Sequence, residues 1–273
     1  MSSQSSHGGW LEWLEGRGEG AGGTAATLER RARLERGERI VDLGAGTGLL
    51  ALTAAKAVGI SGTVFAVDSE PDCLERLNEK ARSKGFSNIR TIHADIRNVP
   101  LESGSIDVAL ARSALIYTGD ARACAREIER LVTEGGRFSV CEPLLAELTW
   151  WGAPPDLVEE LNRAESIMRE GRAGVSLDRE DLREAFDSAN LSFSSLVVTY
   201  RLDFSGRDVE DIVKDYLFDL PGELSAHRTL RDKGGLADDY VTALAGQLAG
   251  ASSSGSVKGS LPCIFIWGSR LES

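Results

Sequence analysis

The chain has 273 residues, 42% of them hydrophobic, and its 42 acidic side chains outnumber 31 basic ones, which gives a formal net charge of −11. This apolar content is enough for a sizeable core in one large domain or two small ones. The acidic balance argues against a protein that mainly grips phosphate backbones, and no apolar run approaches the roughly 20 residues of a transmembrane helix.

Residues 1–26 form the first predicted segment, which is rich in Ser and Gly and is interrupted by a small apolar cluster that includes Trp10 and Trp13. This segment is either a flexible tail with one anchored turn or a mobile lid that closes over a ligand. A charged helical pattern, Thr27–Arg36, leads from it into the first strand. We predict that residues 27–273 form a single domain.

Residues 38–143 alternate between strand and helix patterns and form the predicted core. Strands separated by helices pair in parallel, because each helix crosses over one face of the sheet. The predicted strands are Arg39–Leu43, Gly62–Asp68, Ile89–His93, Ser105–Ala111 and Arg137–Glu142, and the predicted helices are Gly48–Val58, Pro71–Gly85 and Ala121–Val132. The sequence therefore predicts an α/β fold with a doubly wound, mostly parallel sheet.

The pattern changes after Pro143, where two helical stretches, residues 144–190 and 205–250, alternate with two late strands, 191–202 and 261–267. The late strands lack a full crossover helix directly before them, so we expect an antiparallel C-terminal strand in a seven-stranded sheet. The helical inserts should lie near the carboxyl edge of the sheet, where ligands bind. Their large side chains either line an apolar acceptor pocket or pack against the sheet; they are Trp150, Trp151, Met168, Tyr216 and Phe218.

A glycine-dense turn, Gly44–Gly48, lies between the strand that ends in Asp42-Leu43 and an Ala- and Leu-rich helix. Small residues let the backbone approach a ligand closely, and amides at a helix start can hold a carboxylate or a phosphate. The third glycine of a dinucleotide fingerprint would fall on Leu49, whereas this chain has it at Gly48. This spacing disfavours a dinucleotide-binding site. The alternative to a ligand-binding loop is a glycine-rich turn that binds no ligand.

Two further acidic positions follow later strand ends. Asp68 ends the second strand, where an acid can bind ribose hydroxyls. Asp95 and Ile96 follow the third strand, where a carboxylate can accept a hydrogen bond from an adenine amine and an amide can donate to the ring. The alternative for Asp68 is a surface acid that caps the next helix, and the alternative for Asp95 is an aspartate in a turn. In register with the glycine turn, both acids favour a nucleoside-type cofactor.

Five stretches, taken in order, resemble the successive motifs of the class I S-adenosylmethionine-dependent methyltransferases, in particular bacterial small-molecule enzymes of the ubiquinone/menaquinone type. These stretches are Val41–Gly48, Phe65–Asp68, His93–Ile96, Ser105–Ala109 and Leu131–Phe138. The resemblance covers residues 38–143 strongly and the terminal strands weakly, and it implies the Rossmann-like methyltransferase fold. Glu134 stands where the family usually has proline, and Arg112 and Ser113 stand where many relatives carry Asn or His.

The resemblance implies S-adenosyl-L-methionine as the cofactor and assigns its contacts residue by residue. Asp42 and the loop amides would orient the methionine part. Asp68 would bind the ribose, Ser69 would lie near the adenine, and Asp95 with Ile96 would read the adenine edge. The segment that begins with Arg112 would pass beside the reactive methyl group. The loop positions meant here are Gly44, Ala45, Gly46 and Gly48.

A catalytic base is needed only where the acceptor atom must lose a proton. Tyr117 and Glu142, at strand ends, are candidates, and His227 in the second helical insert is another. Each has a structural alternative, which is hydrogen bonding for Tyr117 and Glu142 and a solvated helix position for His227. His93 is expected to belong to its strand.

These observations predict a cytoplasmic methyltransferase that moves a methyl group by in-line displacement to a small, hydrophobic or aromatic acceptor. The alternatives are an NAD(P)-dependent oxidoreductase and a non-catalytic subunit that binds S-adenosylmethionine. No metal is predicted, because the four cysteines form no Cys-x-x-Cys pair; Cys141 and Cys263 lie in apolar runs and are expected in the core. There is no secretory signal pattern, and neither a membrane nor a nucleic acid is expected as a partner.

Overall fold

The structure is a computed structural model that describes residues 22–144, 147, 149–152, 155–160, 162–163, 177–203, 246 and 258–272. The described residues divide into two compact units. The larger unit comprises those between Leu14 and Pro143, Arg179–Val197 and those from Ile264 onward, and the smaller unit comprises those in 144–178 and 198–263. Most of the predicted N-terminal segment, and all but one residue of the predicted insert 205–250, lie outside the described residues.

Helices and strands alternate along the larger unit as the sequence predicts. In chain order the elements are α1 (Gly22–Ala32), β1 (Arg39–Leu43), α2 (Leu49–Val58), β2 (Thr63–Asp68), α3 (Pro71–Ser83), β3 (Ile89–His93), β4 (Ile106–Arg112), α4 (Ala121–Leu131), β5 (Val132–Pro143), β6 (Thr149–Trp151), α5 (Arg179–Asp187), β7 (Leu191–Asp203) and β8 (Lys258–Arg270). A single 3-10 turn, Leu115–Tyr117, lies between β4 and α4.

Local sequence signals set the helix boundaries. Pro71 occupies the first turn of α3, where its missing N–H leaves no unmade bond. The side chain of Asp120 caps α4 by accepting a hydrogen bond from the Ala123 amide at 2.9 Å. Gly59 ends α2 with φ +68°. Among the described helices, none combines the length and the apolar content that crossing a bilayer requires.

The sheet order in the larger unit is β3-β2-β1-β4-β5-β8, and β7 also pairs with β8. The strands β1 to β5 pair in parallel, with Leu43 opposite both Val67 and Ala111 and with Arg112 opposite Cys141. This register brings the carboxyl ends of β1, β2, β4 and β5 to one edge of the sheet. Any group that follows these strand ends therefore faces the same region.

The predicted α/β sheet, mostly parallel with an antiparallel C-terminal strand, is confirmed. In the smaller unit β6 pairs antiparallel with the start of β8, with Thr149 opposite Ser260. Among the described residues the sheet has eight strands instead of the predicted seven. The additional strand is β6, inside a stretch predicted as helical, and its β-branched and aromatic residues favour an extended conformation.

The start of β5 also differs from the prediction. The sequence predicts a helix through Val132 and a strand only from Arg137, with Gly135 and Gly136 in a turn between them, but β5 begins at Val132. Its pairing with β4 jumps from Ile106–Val132 to Val108–Arg137, and Gly135 has φ +71°. The glycines therefore form a bulge within a strand, which sequence patterns do not distinguish from a turn.

The core of the larger unit is filled by branched aliphatic strand residues and by two stacked phenylalanines. Phe138 of β5 and Phe186 of α5 are fully buried, and their ring centroids lie 5.4 Å apart. Phe193 of β7 meets Phe186 edge-on at 6.0 Å. Cys141 in this unit and Cys263 in the smaller unit are buried free thiols, which confirms their predicted buried positions.

Replacing Phe138 with Ala should lower the free energy of unfolding by about 3–5 kcal/mol, because it removes a ring from a closed core and leaves a cavity. Urea denaturation measures this change. The control is Ile60→Ala, since Ile60 is 87% exposed; it should change the free energy of unfolding by less than about 0.5 kcal/mol. Equal effects of the two substitutions would contradict this packing.

Candidate active site

The glycine-dense turn forms the loop between β1 and α2. Gly44, Gly46 and Gly48 have φ values of +75°, +51° and +97°, in the left-handed region that glycine enters at little cost. The amides of Gly44 and Ala45 both donate to the Val67 carbonyl at 2.9 Å. These bonds attach the loop to the end of β2, so the loop conformation requires glycine and is fixed by the neighbouring strand.

Neighbouring side chains cover the glycine loop at Gly44 and Gly48 but leave it open at Gly46. A Cβ atom added to Gly44 would overlap the Cβ of Ala114, and one added to Gly48 would overlap the side chain of Leu77. A Cβ added to Gly46 would meet no atom of the described residues within 4 Å. A ligand can therefore approach the loop backbone at Gly46, next to the start of α2.

Asp42 lies at the end of β1 with 1% of its surface exposed. Neither carboxylate oxygen has a hydrogen-bond partner that meets normal geometry among the described residues. Burial, and after it the charge of Asp68, raises the pKa of Asp42 to about 7, while the Ala51 amide and the charge of Arg112 offset only part of this shift. A buried, unpartnered carboxylate is costly, so Asp42 is suited to receive a cationic group of a ligand.

Asp68 links the end of β2 to the glycine loop. Its Oδ2 accepts the Gly46 N–H at 2.7 Å, and its Oδ1 accepts the Glu70 N–H at 2.9 Å. Burial raises the pKa of Asp68, and these two hydrogen bonds oppose that shift. Each oxygen keeps a further lone pair, so this carboxylate can hold the loop and bind ligand hydroxyls together. Ser69 follows it and is exposed, and His93 contacts the Ser69 carbonyl at 2.9 Å from within β3.

Asp95 follows β3 and forms an ion pair that the sequence analysis did not anticipate. Arg97 donates to both of its oxygens, from Nε at 3.0 Å and from its own backbone N–H at 2.8 Å. The Arg97 side-chain hydrogen bond holds the pKa of Asp95 below its usual range. Arg97 also donates to the Thr118 carbonyl at 2.9 Å. Ile96 is buried between these two exposed residues. The Asp-x-Arg spacing is a local signal that could have suggested the pair.

Residues Ser113–Thr118, named here the post-β4 segment, lie against the glycine loop. Ser113 has φ +51°, an uncommon value for a residue other than glycine, and its amide donates to the Cys141 carbonyl at 2.8 Å. Ala114 is the residue that closes the loop at Gly44. The passage of the segment that begins with Arg112 beside a reactive methyl group stays a prediction.

The three predicted base candidates fall in different surroundings. Tyr117 is 41% exposed on the turn of the post-β4 segment. Glu142 is fully buried at the end of β5, and its oxygens accept hydrogen bonds from the amides of the post-β4 segment. His227 lies outside the described residues, as do the predicted pocket residues Met168, Tyr216 and Phe218. Trp150 is buried and Trp151 is 39% exposed, both on β6 of the smaller unit.

These residues form a site that fits the cofactor which the sequence resemblance implies. The open backbone at Gly46 and the unpartnered carboxylate of Asp42 suit an amino-acid group, and Asp68 suits a ribose. Among the described residues there is no cluster of three or more side chains that commonly bind a metal ion.

The comparisons with known proteins indicate one family, the methyltransferases. A family model described as a methyltransferase domain matches residues 34–193, which is more than half of the chain. Over 128 residues the chain is 27% identical to the aklanonic acid methyltransferase DauC of Streptomyces sp. (strain C5), a match covering 47% of this chain and 58% of DauC. Over 112 residues it is 30% identical to the demethylmenaquinone methyltransferase of Geobacillus kaustophilus, covering 41% and 47%. The chain thus spans about half the length of these relatives.

A solved structure supports the fold independently. The YcgJ protein of Bacillus subtilis matches with a TM-score of 0.61 and 19% identity, covering 92% of this chain and 98% of that one. Identity at this level is informative about the fold alone. Together with the family match, it confirms the fold and the family that the ordered motifs predicted.

Replacing Gly44 with Ala should abolish binding of S-adenosylhomocysteine, because the added methyl group would push the post-β4 segment away from the loop. The matched control is Gly85→Ala: Gly85 has φ +74° and free space around its Cβ position. Both variants should lose about 1–2 kcal/mol of stability from the left-handed conformation. Gly44→Ala should lose more because its methyl group overlaps Ala114, and only this variant should lose binding. Calorimetric titration and urea denaturation measure the two effects, and unchanged binding by Gly44→Ala would refute the close contact.

Affinity for S-adenosylhomocysteine should increase from pH 6 to pH 8. Below about 7 the raised pKa of Asp42 keeps this group protonated, and pairing with the ligand ammonium must release that proton, so affinity falls by up to about tenfold per pH unit. Titrations across this range measure the slope. Asp42→Asn should bind more weakly and should show a flatter dependence; an equal slope in the variant would assign the titration to another group.

Proposed function

The chain belongs to the methyltransferase-domain family, and from that membership we propose that it transfers the methyl group of S-adenosylmethionine to a small hydrophobic or aromatic acceptor. The observation that carries this proposal is a single arrangement in the larger unit. A glycine loop with an open backbone at Gly46 lies next to a buried carboxylate, Asp42, whose oxygens have no hydrogen bond of normal geometry from the described residues, and the loop is hydrogen bonded to a second acid, Asp68.

The proposed cofactor contacts follow the sequence motifs residue by residue. Asp42 and the loop amides of Gly44–Gly48 hold the methionine part, and Asp68 holds the ribose hydroxyls. Ser69 lies beside the adenine, and Asp95 with Ile96 binds its edge. The carboxyl ends of β1, β2 and β3 carry these groups in the order in which an extended nucleoside ligand would meet them.

The proposed chemistry places modest demands on the protein. When bound, S-adenosylmethionine supplies an electrophilic methyl group on a positively charged sulfur. The chain must hold the acceptor in line with that group and exclude competing water. Asp42 and Asp68 place negative charge near the site, which favours a cationic ligand, and Arg112, half-buried at the end of β4, balances part of this charge.

Tyr117 is the proposed residue for proton handling when the acceptor is a phenol or another protonated nucleophile. Its side chain is partly exposed at the carboxyl edge of the sheet, where it can contact an acceptor. Glu142 is a poorer candidate, because its carboxylate is enclosed and accepts three backbone hydrogen bonds. His227 stays a candidate from the sequence.

Three observations support the proposed acceptor class: the net charge of the chain, its exposed aromatic side chains and the substrates for which two relatives are named. A net charge of −11 disfavours polyanionic acceptors such as nucleic acids. Tyr117 in the larger unit and Trp151 in the smaller one expose aromatic surface. Two relatives are named for methylating small molecules, aklanonic acid and demethylmenaquinone. We therefore favour an apolar or aromatic molecule, and the atom it presents can be oxygen, nitrogen or carbon.

Incubation with methyl-labelled S-adenosylmethionine and a panel of phenols, quinols, aromatic acids and amines tests this function. We expect S-adenosylhomocysteine and one singly methylated product to form in equal amounts. With a phenolic acceptor, Tyr117→Phe should lower kcat by roughly 10²-fold, in the range of general acid–base catalysis. Tight cofactor binding without product formation from any acceptor would instead favour a non-catalytic subunit.

A further inference from the structure

Glu142 is a buried acid for which the proposed transfer step has no use. Its exposed surface is 0%, and it lies at the carboxyl end of β5. Oε1 accepts the amide hydrogens of Ala114 at 2.9 Å and Leu115 at 3.1 Å, and Oε2 accepts that of Ile116 at 3.4 Å. One carboxylate thus accepts from three successive backbone amides. Hydrogen bonds to a charged acceptor are stronger than those between neutral groups.

The segment that Glu142 holds is under local strain. Ser113 keeps a left-handed φ of +51°, which persists only where surrounding contacts impose it. Its amide is bound to the Cys141 carbonyl, and the next three amides are bound to Glu142. At the other end, Arg97 donates to the Thr118 carbonyl. The post-β4 segment is therefore fixed at its start, along its turn and at its end.

The post-β4 segment packs against one side of the glycine loop. The methyl group of Ala114 occupies the space that a side chain on Gly44 would need, so it packs directly against the Gly44 backbone. Gly44 is the first residue of the glycine loop, and the Gly46 amide of the same loop donates to Asp68. Contacts thus run from Glu142 through Ala114 to Gly44 and the loop. A shift of the segment would change the shape of the loop without touching the ligand itself.

We propose that Glu142 is a positioning residue, which fixes the post-β4 segment against the glycine loop and so forms the cofactor pocket before the ligand binds. This inference rests on the proposed function for the identity of the ligand. Arg112 precedes the segment, and although burial raises the pKa of Glu142 to about 7, the three amides and the charge of Arg112 favour its ionised form. The ionised form accepts from all three amides, whereas protonation of Oε2 would leave Oε1 as the acceptor for Ala114 and Leu115 alone.

Glu127 provides a matched control in the same unit. It is 6% exposed on α4, and its Oε1 accepts the Val99 amide at 2.7 Å. It is thus a buried glutamate that accepts a backbone amide and pairs with Arg130, and among the described residues none of its hydrogen bonds involves the glycine loop or the post-β4 segment. Substituting it should reduce stability without changing cofactor affinity.

The test compares Glu142→Ala, Glu142→Gln and Glu127→Gln with the wild-type chain. Hydrogen exchange followed by mass spectrometry reports on the amides of residues 114–116, and calorimetry measures the Kd for S-adenosylhomocysteine. For Glu142→Ala we expect roughly tenfold or greater increases in both the exchange rate and Kd. Glu142→Gln keeps a carbonyl that can accept from Ala114 and Leu115, so it should rescue both values in part. Should the Ala variant fail to fold, the Gln variant carries the test.

Two results would overturn the positioning role. One is faster exchange at residues 114–116 with an unchanged Kd, which would make Glu142 a purely structural residue. The other is an equal rise in Kd for Glu127→Gln, which would attribute the effect to general destabilisation. Failure of the wild-type chain to bind S-adenosylhomocysteine would contradict the proposed function separately, because the exchange data on Glu142 do not depend on the ligand.

Discussion

The contact of the Ala114 methyl group with the backbone of Gly44 is the constraint on which the rest of the site depends. It brings the loop after β1 against the segment after β4, two neighbouring strands whose carboxyl ends lie at the same edge of the sheet. The contact needs glycine at position 44, and Ala114 follows Ser113, a residue with an imposed left-handed conformation. Glycine enters the left-handed region at little cost, whereas serine does not. The surrounding carboxylates Asp68 and Glu142 stabilise both sides by accepting hydrogen bonds from backbone amides.

The electrostatics of the site follow from the same arrangement. Asp42 and Glu142 are both buried and both have pKa values raised to about 7, and the charge of Arg112 lowers each of them. Their local environments differ, however. Glu142 has three amide donors, whereas Asp42 has no described partner of normal geometry. One acid therefore serves the fold of the pocket, while the other retains the capacity to bind a cationic ligand.

The sequence allowed the fold and the cofactor loop to be predicted, because both depend on local signals. The strand-helix alternation and the spacing of Gly44, Gly46 and Gly48 are local patterns. The match to the methyltransferase-domain family supports the fold predicted from them. Other features depend on contacts between distant residues. Glu142 lies 28 positions from Ala114, so its role was not distinguishable from that of a base. The short strand β6 was missed because its pairing partner comes more than 100 residues later.

Cofactor binding is tested most directly by a calorimetric titration of S-adenosylmethionine, S-adenosylhomocysteine and NADH against the wild-type chain and Asp68→Ala. We expect both adenosyl-sulfur ligands to bind with micromolar affinity, within the usual range of enzyme KM values, and NADH not to bind. The variant should lose this binding, because Asp68 holds Gly46 and is proposed to bind the ribose hydroxyls. Binding of NADH, or of none of the three ligands, would show that this site does not bind S-adenosylmethionine.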